Sequence, residues 1–334
     1  MAKNYKRKFG AKEREDRNAM FKESRELQKW AKDLESRLVD DILFDSQVIA
    51  TTLIGTQHRM ISDMEFETVI IDEASQALEA ECWAAILKAK RVIMAGDHMQ
   101  LPPTIKSQKA IDMGLEETIL DRMTPCIKDS YTLGIQYRMN DKILSFPNKK
   151  FYGGKLLSHI SNANHLIQEG DDPLIWIDTS GCGFEEKQSS EHRSKWNEGE
   201  YFILREHFLQ QIEKYEGCSI GIISPYAQQV RYIKSQVAED ETLRAHDVTI
   251  NSIDGFQGQE KDIIYISLVR SNDAGELGFL KDLRRLNVTI TRAKKKLVII
   301  GDVATLSSDK TYLELLEHVE ANGLYQSAWE YMGV

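Results

Sequence analysis

Seven short apolar runs punctuate the 334-residue chain, at residues 48–50, 69–71, 92–94, 175–177, 220–223, 263–269 and 297–300. They show little internal polar alternation, so each reads as a strand buried on both faces rather than one with a wet side. Helical patterns fall between them, at about 78–88, 197–213, 226–238 and 311–319. Strands of this kind separated by helices imply parallel sheets with helices on both faces, an α/β fold. In such sheets ligands bind beyond the carboxyl ends of the strands, so the residues that follow each run are the first candidates for chemistry. No repeat with a period of 20–50 residues is evident.

Ahead of the first run lies a different pattern. Over residues 11–43, Met20, Leu27, Ala31, Leu34, Leu38 and Ile42 recur at spacings of three, four and seven with charges between them. That predicts one long helix with a narrow apolar stripe, suited to a single partner helix rather than a broad core. Charge separates this segment from the rest. Residues 1–37 hold 12 Lys+Arg against 7 Asp+Glu, while the whole chain has a net charge of −9. A basic arm on an acidic body suits phosphate contact, and it equally suits a solvated helix laced with ion pairs. No apolar run approaches the ~20 residues of a membrane span, so no membrane association is expected. The basic start lacks the apolar stretch of a secretory signal. Cys82, Cys126, Cys182 and Cys218 are widely spaced, without a C-x-x-C pair, so reduced thiols and no zinc site are expected.

Two of the apolar runs end in reactive-looking loops. After Val69-Ile70-Ile71 come Asp72-Glu73-Ala74-Ser75-Gln76. Adjacent carboxylates at a strand end can hold Mg²⁺ through water and orient an attacking water, as in phosphoryl transfer. The same pair can simply open a helix, favoured by its dipole. After Val92-Ile93-Met94 comes Gly96-Asp97-His98-Met99-Gln100-Leu101-Pro102-Pro103, a loop stiffened by two prolines. The Gln100 amide could bond both a phosphate oxygen and a water. An ordinary turn is the alternative.

Together these two segments resemble motifs II and III of the superfamily 1 helicases, Upf-like branch. Gln136-Tyr137-Arg138-Met139, Asp254-Gly255-Phe256-Gln257-Gly258-Gln259-Glu260 and Asn287-Val288-Thr289-Ile290-Thr291-Arg292-Ala293 are similar to the later motifs, in the family's order. Within the branch, Ala77-Leu78-Glu79-Ala80-Glu81-Cys82-Trp83 and the paired prolines are most similar to the immunoglobulin mu-binding protein 2 type. The resemblance implies P-loop NTPase (RecA-like) lobes with parallel sheets, ATP and Mg²⁺ as cofactors, and 5′→3′ helicase activity on single-stranded DNA or RNA. It implies Asp72 as the Mg²⁺ holder through water, Glu73 as the catalytic carboxylate and Gln100 as the sensor of the γ-phosphate. Arg138 and Arg292 would be the arginines reaching the phosphates from the second lobe. Tyr137 would pack on the adenine, with Gln257, Gly258 and Glu260 near the nucleotide. Thr51, Thr52, Ser224, Pro225, Tyr226, Thr249 and Ser252 match positions that touch the nucleic-acid backbone, although isolated hydroxyls at loop starts are also ordinary caps.

No G-x-x-x-x-G-K-[ST] loop is present; the only Gly-Lys, Gly154-Lys155, fails the pattern. In the family that loop lies upstream of a helical stalk. The resemblance therefore implies residues 1–43 as the second half of the stalk, 44–126 as the later part of a partial first lobe, and 127–334 as the second lobe. A fragment, a truncated gene model or a catalytically inactive nucleic-acid-binding remnant would each have this form. A monomer in the cytoplasm or nucleus is the accompanying expectation.

Overall fold

The computed structural model describes residues 10–127, 130–189 and 194–333. The first nine residues, which carry four of the arm's basic side chains, lie outside the described residues. By its internal contacts the chain divides into two units. One takes in residues up to 71 together with 79–93, and the other takes in 72–78 and everything from 94 onward.

The first unit begins with α1 (Ala11–Asp45), the long helix that the periodicity predicts. Gly10 precedes it, and the Glu13 carboxylate accepts from the Gly10 N–H at 3.0 Å, satisfying one donor at the helix start. None of its side chains is buried. Residues 48–50 do not form the expected strand, and Val48 is 84% exposed. A strand requires a neighbour for its ladder, and among the described residues none lies alongside this one. β1 (Phe66–Ile71) and β2 (Ala89–Met94) pair with each other, linked through α2 (Glu79–Ile86).

The second unit is a three-layer α/β body. Its elements in chain order are α3 (Asp141–Phe151), β3 (Leu174–Asp178), α4 (Glu198–Gln210), β4 (Ile220–Ser224), α5 (Ala227–Glu239), β5 (Val248–Ser252), β6 (Lys261–Ser267), α6 (Leu283–Ile290), β7 (Ala293–Gly301), α7 (Lys310–Asn322) and β8 (Leu324–Ser327). Six strands form one sheet in the order β8-β3-β7-β6-β4-β5, and every pairing is parallel. Successive side chains of a strand point to opposite faces, so an unbroken apolar strand serves two cores. In β7, Leu297 and Ile299 join Trp176, Ile264 and Ile266 beneath α3, α6 and α7. Val298 and Ile300 join Ile175, Ile222 and Tyr265 beneath α4 and α5.

β5 and β8, the two edge strands, were not expected from the apolar runs. Neither is fully buried, and β5 reads Val-Thr-Ile-Asn-Ser. The boundary expected at residue 126 is not where the contacts divide. Segments 72–78 and 94–126 belong to the second unit, because hydrogen bonds described below tie them to it.

Candidate functional site

Beyond β1 the chain turns sharply. Glu73 has φ 52°, a left-handed conformation unusual for a residue with a side chain. Such strain persists only where surrounding structure holds it, and here the holds are visible. Ala74 N–H donates to Ala95 O at 2.8 Å, and Gln76 Nε2 donates to Glu73 Oε2 at 2.6 Å. Asp97 N–H donates to Ser75 Oγ at 3.2 Å, so the Asp-Glu turn and the Gly96–Pro103 loop dock back to back. Gly96 makes that approach feasible: a Cβ there would stand 2.9 Å from Ser75 N and 3.2 Å from Ala74 N. Asp72 and Glu73 are exposed.

Within the loop, Asp97 Oδ1 accepts from Met99 N–H at 2.9 Å and Oδ2 accepts from Gln100 Nε2 at 3.0 Å. The opposite end of the Gln100 amide, Oε1, accepts from Arg292 Nη2 at 3.2 Å. An anion on one side and a cation on the other fix which way the amide points.

Arg292 is 2% exposed. Its Nε donates to Val288 O at 2.9 Å and Nη1 to Gln259 O at 3.3 Å. Burial, and then repulsion from Arg138, push its guanidinium down to about 10, while Glu73 pulls the other way. It stays cationic at neutral pH, and one of its near charges is the strained carboxylate. Arg138 donates from Nε to Glu260 Oε2 at 2.5 Å and from Nη1 to Thr291 O at 3.1 Å. Burial raises the Glu260 carboxyl, but Lys294 and Arg138 outweigh it and hold the group below its ordinary range. Tyr137, 66% exposed, stacks on His159 with ring centroids 4.5 Å apart.

Asp72, Glu73 and Gln100 follow the carboxyl ends of β1 and β2, as expected, whereas the arginine side of the arrangement lies at the amino ends of strands of the six-stranded sheet. Glu260 immediately precedes β6 and Arg292 immediately precedes β7, and Lys261 N–H donates to Arg292 O at 3.1 Å. At the carboxyl ends, Asp178 and Asp302 are instead engaged by Ser180, Ser271 and Thr305. The reason is local. The amino edge is where α6 ends and where the 96–103 loop makes its contacts, and it gathers arginines.

The residues present fit a magnesium nucleotide. Mg²⁺ is commonly held by one or two carboxylates, with water and phosphate oxygens completing the shell, and Asp72 is available for that. Arg138 and Arg292 complement phosphate charge. Gln257 Nε2 is buried without a hydrogen-bond partner, a donor left for a ligand. Gly258, with φ +77°, adopts a backbone conformation that glycine tolerates best.

A family model described as an AAA domain matches residues 115–304, and a second of the same description matches residues 1–108. The chain belongs to the Upf-like superfamily 1 helicases. It is 39% identical over 339 residues to the DNA polymerase alpha-associated DNA helicase A of Saccharomyces cerevisiae, covering 91% of this chain and 48% of that protein. To the DNA-binding protein SMUBP-2 of Rattus norvegicus it is 33% identical, over 92% of this chain and 32% of the other. To the Regulator of nonsense transcripts 1 of Dictyostelium discoideum it is 36% identical, over 83% and 21%. The chain thus spans about half the length of the yeast relative and a third of the rat one.

The helicase resemblance also marked seven nucleic-acid positions, and the structure distributes them unevenly. Thr51 and Thr52 are exposed in the first unit, but Thr52 Oγ1 accepts from Gly55 N–H at 3.0 Å and caps a short turn. Ser252 Oγ accepts from Gly255 N–H at 3.3 Å in the same way, and Thr249 is half-buried on β5. Ser224, Pro225 and Tyr226 are buried, which departs from the expected surface contact. Tyr226 OH donates to Leu277 O at 3.3 Å, because the chain dives beneath the 277–280 turn as it enters α5.

Two site residues carried no assignment in the sequence. Tyr152 OH donates to Asp97 Oδ2 at 2.7 Å and accepts from Asn287 Nδ2 at 2.8 Å. The Asn287 amide nitrogen also donates to Met99 O at 2.9 Å. These two side chains lock the 96–103 loop onto α6. Asn287 opens the last motif, which was a usable signal. Nothing in the sequence around Tyr152 was.

Proposed function

We propose that this chain is the C-terminal portion of an ATP-dependent helicase or translocase that moves 5′→3′ on single-stranded DNA or RNA. The observation that carries the reading is the 3.2 Å bond between Gln100 and Arg292, which joins the strand-end loop to a buried cation that feels the exposed Glu73 carboxylate. Magnesium would neutralise phosphate charge and polarise the transferred phosphoryl group.

The protein's own groups perform the remaining tasks. Asp72 is the carboxylate that would hold the metal. Glu73, held in its strained turn, orients the attacking water and takes its proton at a carboxylate oxygen. Gln100 positions that water with the amide end set by Asp97 and Arg292. Arg138 and Arg292 stabilise charge as it spreads over the phosphoryl oxygens, the role for which arginine fingers are used. Tyr137 offers an aromatic face to the base, and Glu260 keeps Arg138 extended. Binding of the single strand through its phosphate backbone would be largely indifferent to sequence.

The test is ATP hydrolysis by this chain with and without single-stranded oligonucleotide, beside a salt titration of oligonucleotide binding. Stimulated hydrolysis that disappears in Glu73→Gln supports the reading. Salt-sensitive binding without stimulated hydrolysis would overturn the enzymatic part for this chain.

A further inference from the structure

Gln136 opens the segment that carries Tyr137 and Arg138, and its side chain folds forward over that segment. Its Oε1 accepts from Arg138 N–H at 2.7 Å and from Met139 N–H at 2.7 Å. Its Nε2 donates to Met139 O at 2.8 Å and to Ser158 Oγ at 2.8 Å. A primary amide accepts twice at its oxygen and donates twice at its nitrogen, so every bonding position is filled. Turning the amide over would set its N–H groups against two backbone N–H groups and its oxygen against a carbonyl. One orientation survives.

These bonds close a turn whose two ends are anchored separately. At the entrance, Ile135 and Gln136 pair with Leu157 and Ser158 in a short parallel ladder, and His159 N–H donates to Gln136 O at 2.9 Å. At the exit, Met139 is buried in the core and Asn140 N–H donates to Lys294 O at 2.8 Å. Asn162 Nδ2 adds a second donor to Met139 O at 2.7 Å. Tyr137 and Arg138 lie between these fixed ends, and the Gln136 oxygen bonds the Arg138 peptide directly.

Two side chains leave the turn in set directions. The Tyr137 ring lies on His159, the residue after the Ser158 that the same amide bonds. Arg138 reaches Glu260 and Thr291 O, beside Arg292 in the chain. A single amide thus governs both an aromatic face and a cation that complements phosphate. We propose that Gln136 is a positioning residue for the nucleotide, setting Tyr137 for the base and Arg138 for the phosphates through one turn. The proposal rests on the ATP-dependent reading above and gives that site a part the resemblance left unassigned. Groups held in place before the ligand arrives keep the reacting geometry, and a displacement of about 1 Å can cost roughly a hundredfold in rate.

Gln136→Met matches the side chain in length and removes all four bonds. In ATP hydrolysis by the full chain with single-stranded oligonucleotide, Tyr137→Ala should mainly raise KM and Arg138→Ala should mainly lower kcat. Gln136→Met should do both, raising KM about fivefold or more and lowering kcat about tenfold or more. Gln136→Glu keeps an acceptor for the two N–H groups and should fall between Gln136→Met and the wild type. A second readout needs no nucleotide. Nuclear Overhauser contacts between the Tyr137 and His159 rings should be present in the free chain and lost in Gln136→Met. Thermal unfolding checks that each variant is folded at the assay temperature, and if Gln136→Met is not, the same criteria apply to Gln136→Glu. Ring contacts kept in the folded variant would overturn the proposal, as would a change in KM or kcat without the other. A wild-type chain that hydrolyses no ATP counts against the proposed function, and the ring contacts alone then decide the role of Gln136.

Discussion

Arg292 is held by four acceptors, Val288 O, Gln259 O, Gln100 Oε1 and Thr291 Oγ1, which leaves its guanidinium little freedom to move. In an ATP-hydrolysing motor containing this chain, Arg292→Ala should lower turnover on the order of 10³-fold. Oligonucleotide affinity should change only a few-fold, as read by fluorescence anisotropy. Tyr152→Phe keeps the ring and removes the hydroxyl between Asp97 and Asn287. Urea denaturation should show a loss of about 1–3 kcal/mol, the cost of leaving buried partners unmet.

Glu200 poses a separate test. It is fully buried under β6, where Ser267 Oγ and Val269 N–H donate to it, and burial raises its carboxyl to about 8 despite those bonds. The folded state therefore keeps a proton that the unfolded chain releases near its ordinary value. Glu200's contribution to stability is full at low pH and is lost as pH rises toward 8. His207 works oppositely. Burial lowers it to about 3, so its contribution falls as pH drops below about 6.5. The two slopes offset each other between about pH 4.5 and that point. The unopposed decline lies between about pH 6.5 and 8, at up to roughly 1.4 kcal/mol per pH unit. Thermal unfolding should become less favourable to the fold across that window, and Glu200→Gln should flatten the trend.

At the level of elements, what the sequence disclosed depended on burial. β3, β4, β6 and β7 sit inside the sheet, face apolar layers on both sides, and so appear as uninterrupted apolar runs. β5 and β8 lie at its edges, where Thr249, Asn251 and Gln326 are acceptable, and they left no such run. α3 was hidden by Pro147, which ordinarily argues against a helix interior, yet here is buried on the core side. The individual motif residues were legible because their types and order are distinctive. Their bonding was not, since Tyr152, Asp97 and Asn287 come from three distant stretches and only the folded chain brings them together. Gly96→Ala tests the closest of these approaches. A methyl group pressed on the Ser75 and Ala74 backbone should destabilise the second unit by about 1–3 kcal/mol in chemical denaturation and displace Glu73. α1 carries its own expectation: deleting residues 1–37 should weaken oligonucleotide binding and shallow its salt dependence if the arm meets phosphates.

For the whole molecule, the division of contacts assigns the Asp-Glu turn and the 94–126 stretch to the same unit as the six-stranded sheet. Asp72, Glu73, the Gln100 amide and both arginines therefore form part of one body, and their mutual geometry depends on the integrity of that sheet. The bond from Gln100 to Arg292 spans 192 positions of chain. Loop closure over that length is entropically unfavourable until other contacts have already drawn the ends together. During folding, the strands that set Arg292 in place must assemble before the 96–103 loop has anything to close upon. The 96–103 loop would then be among the last parts of the protein to order, and its amides the last to gain protection in a pulse-labelled refolding experiment.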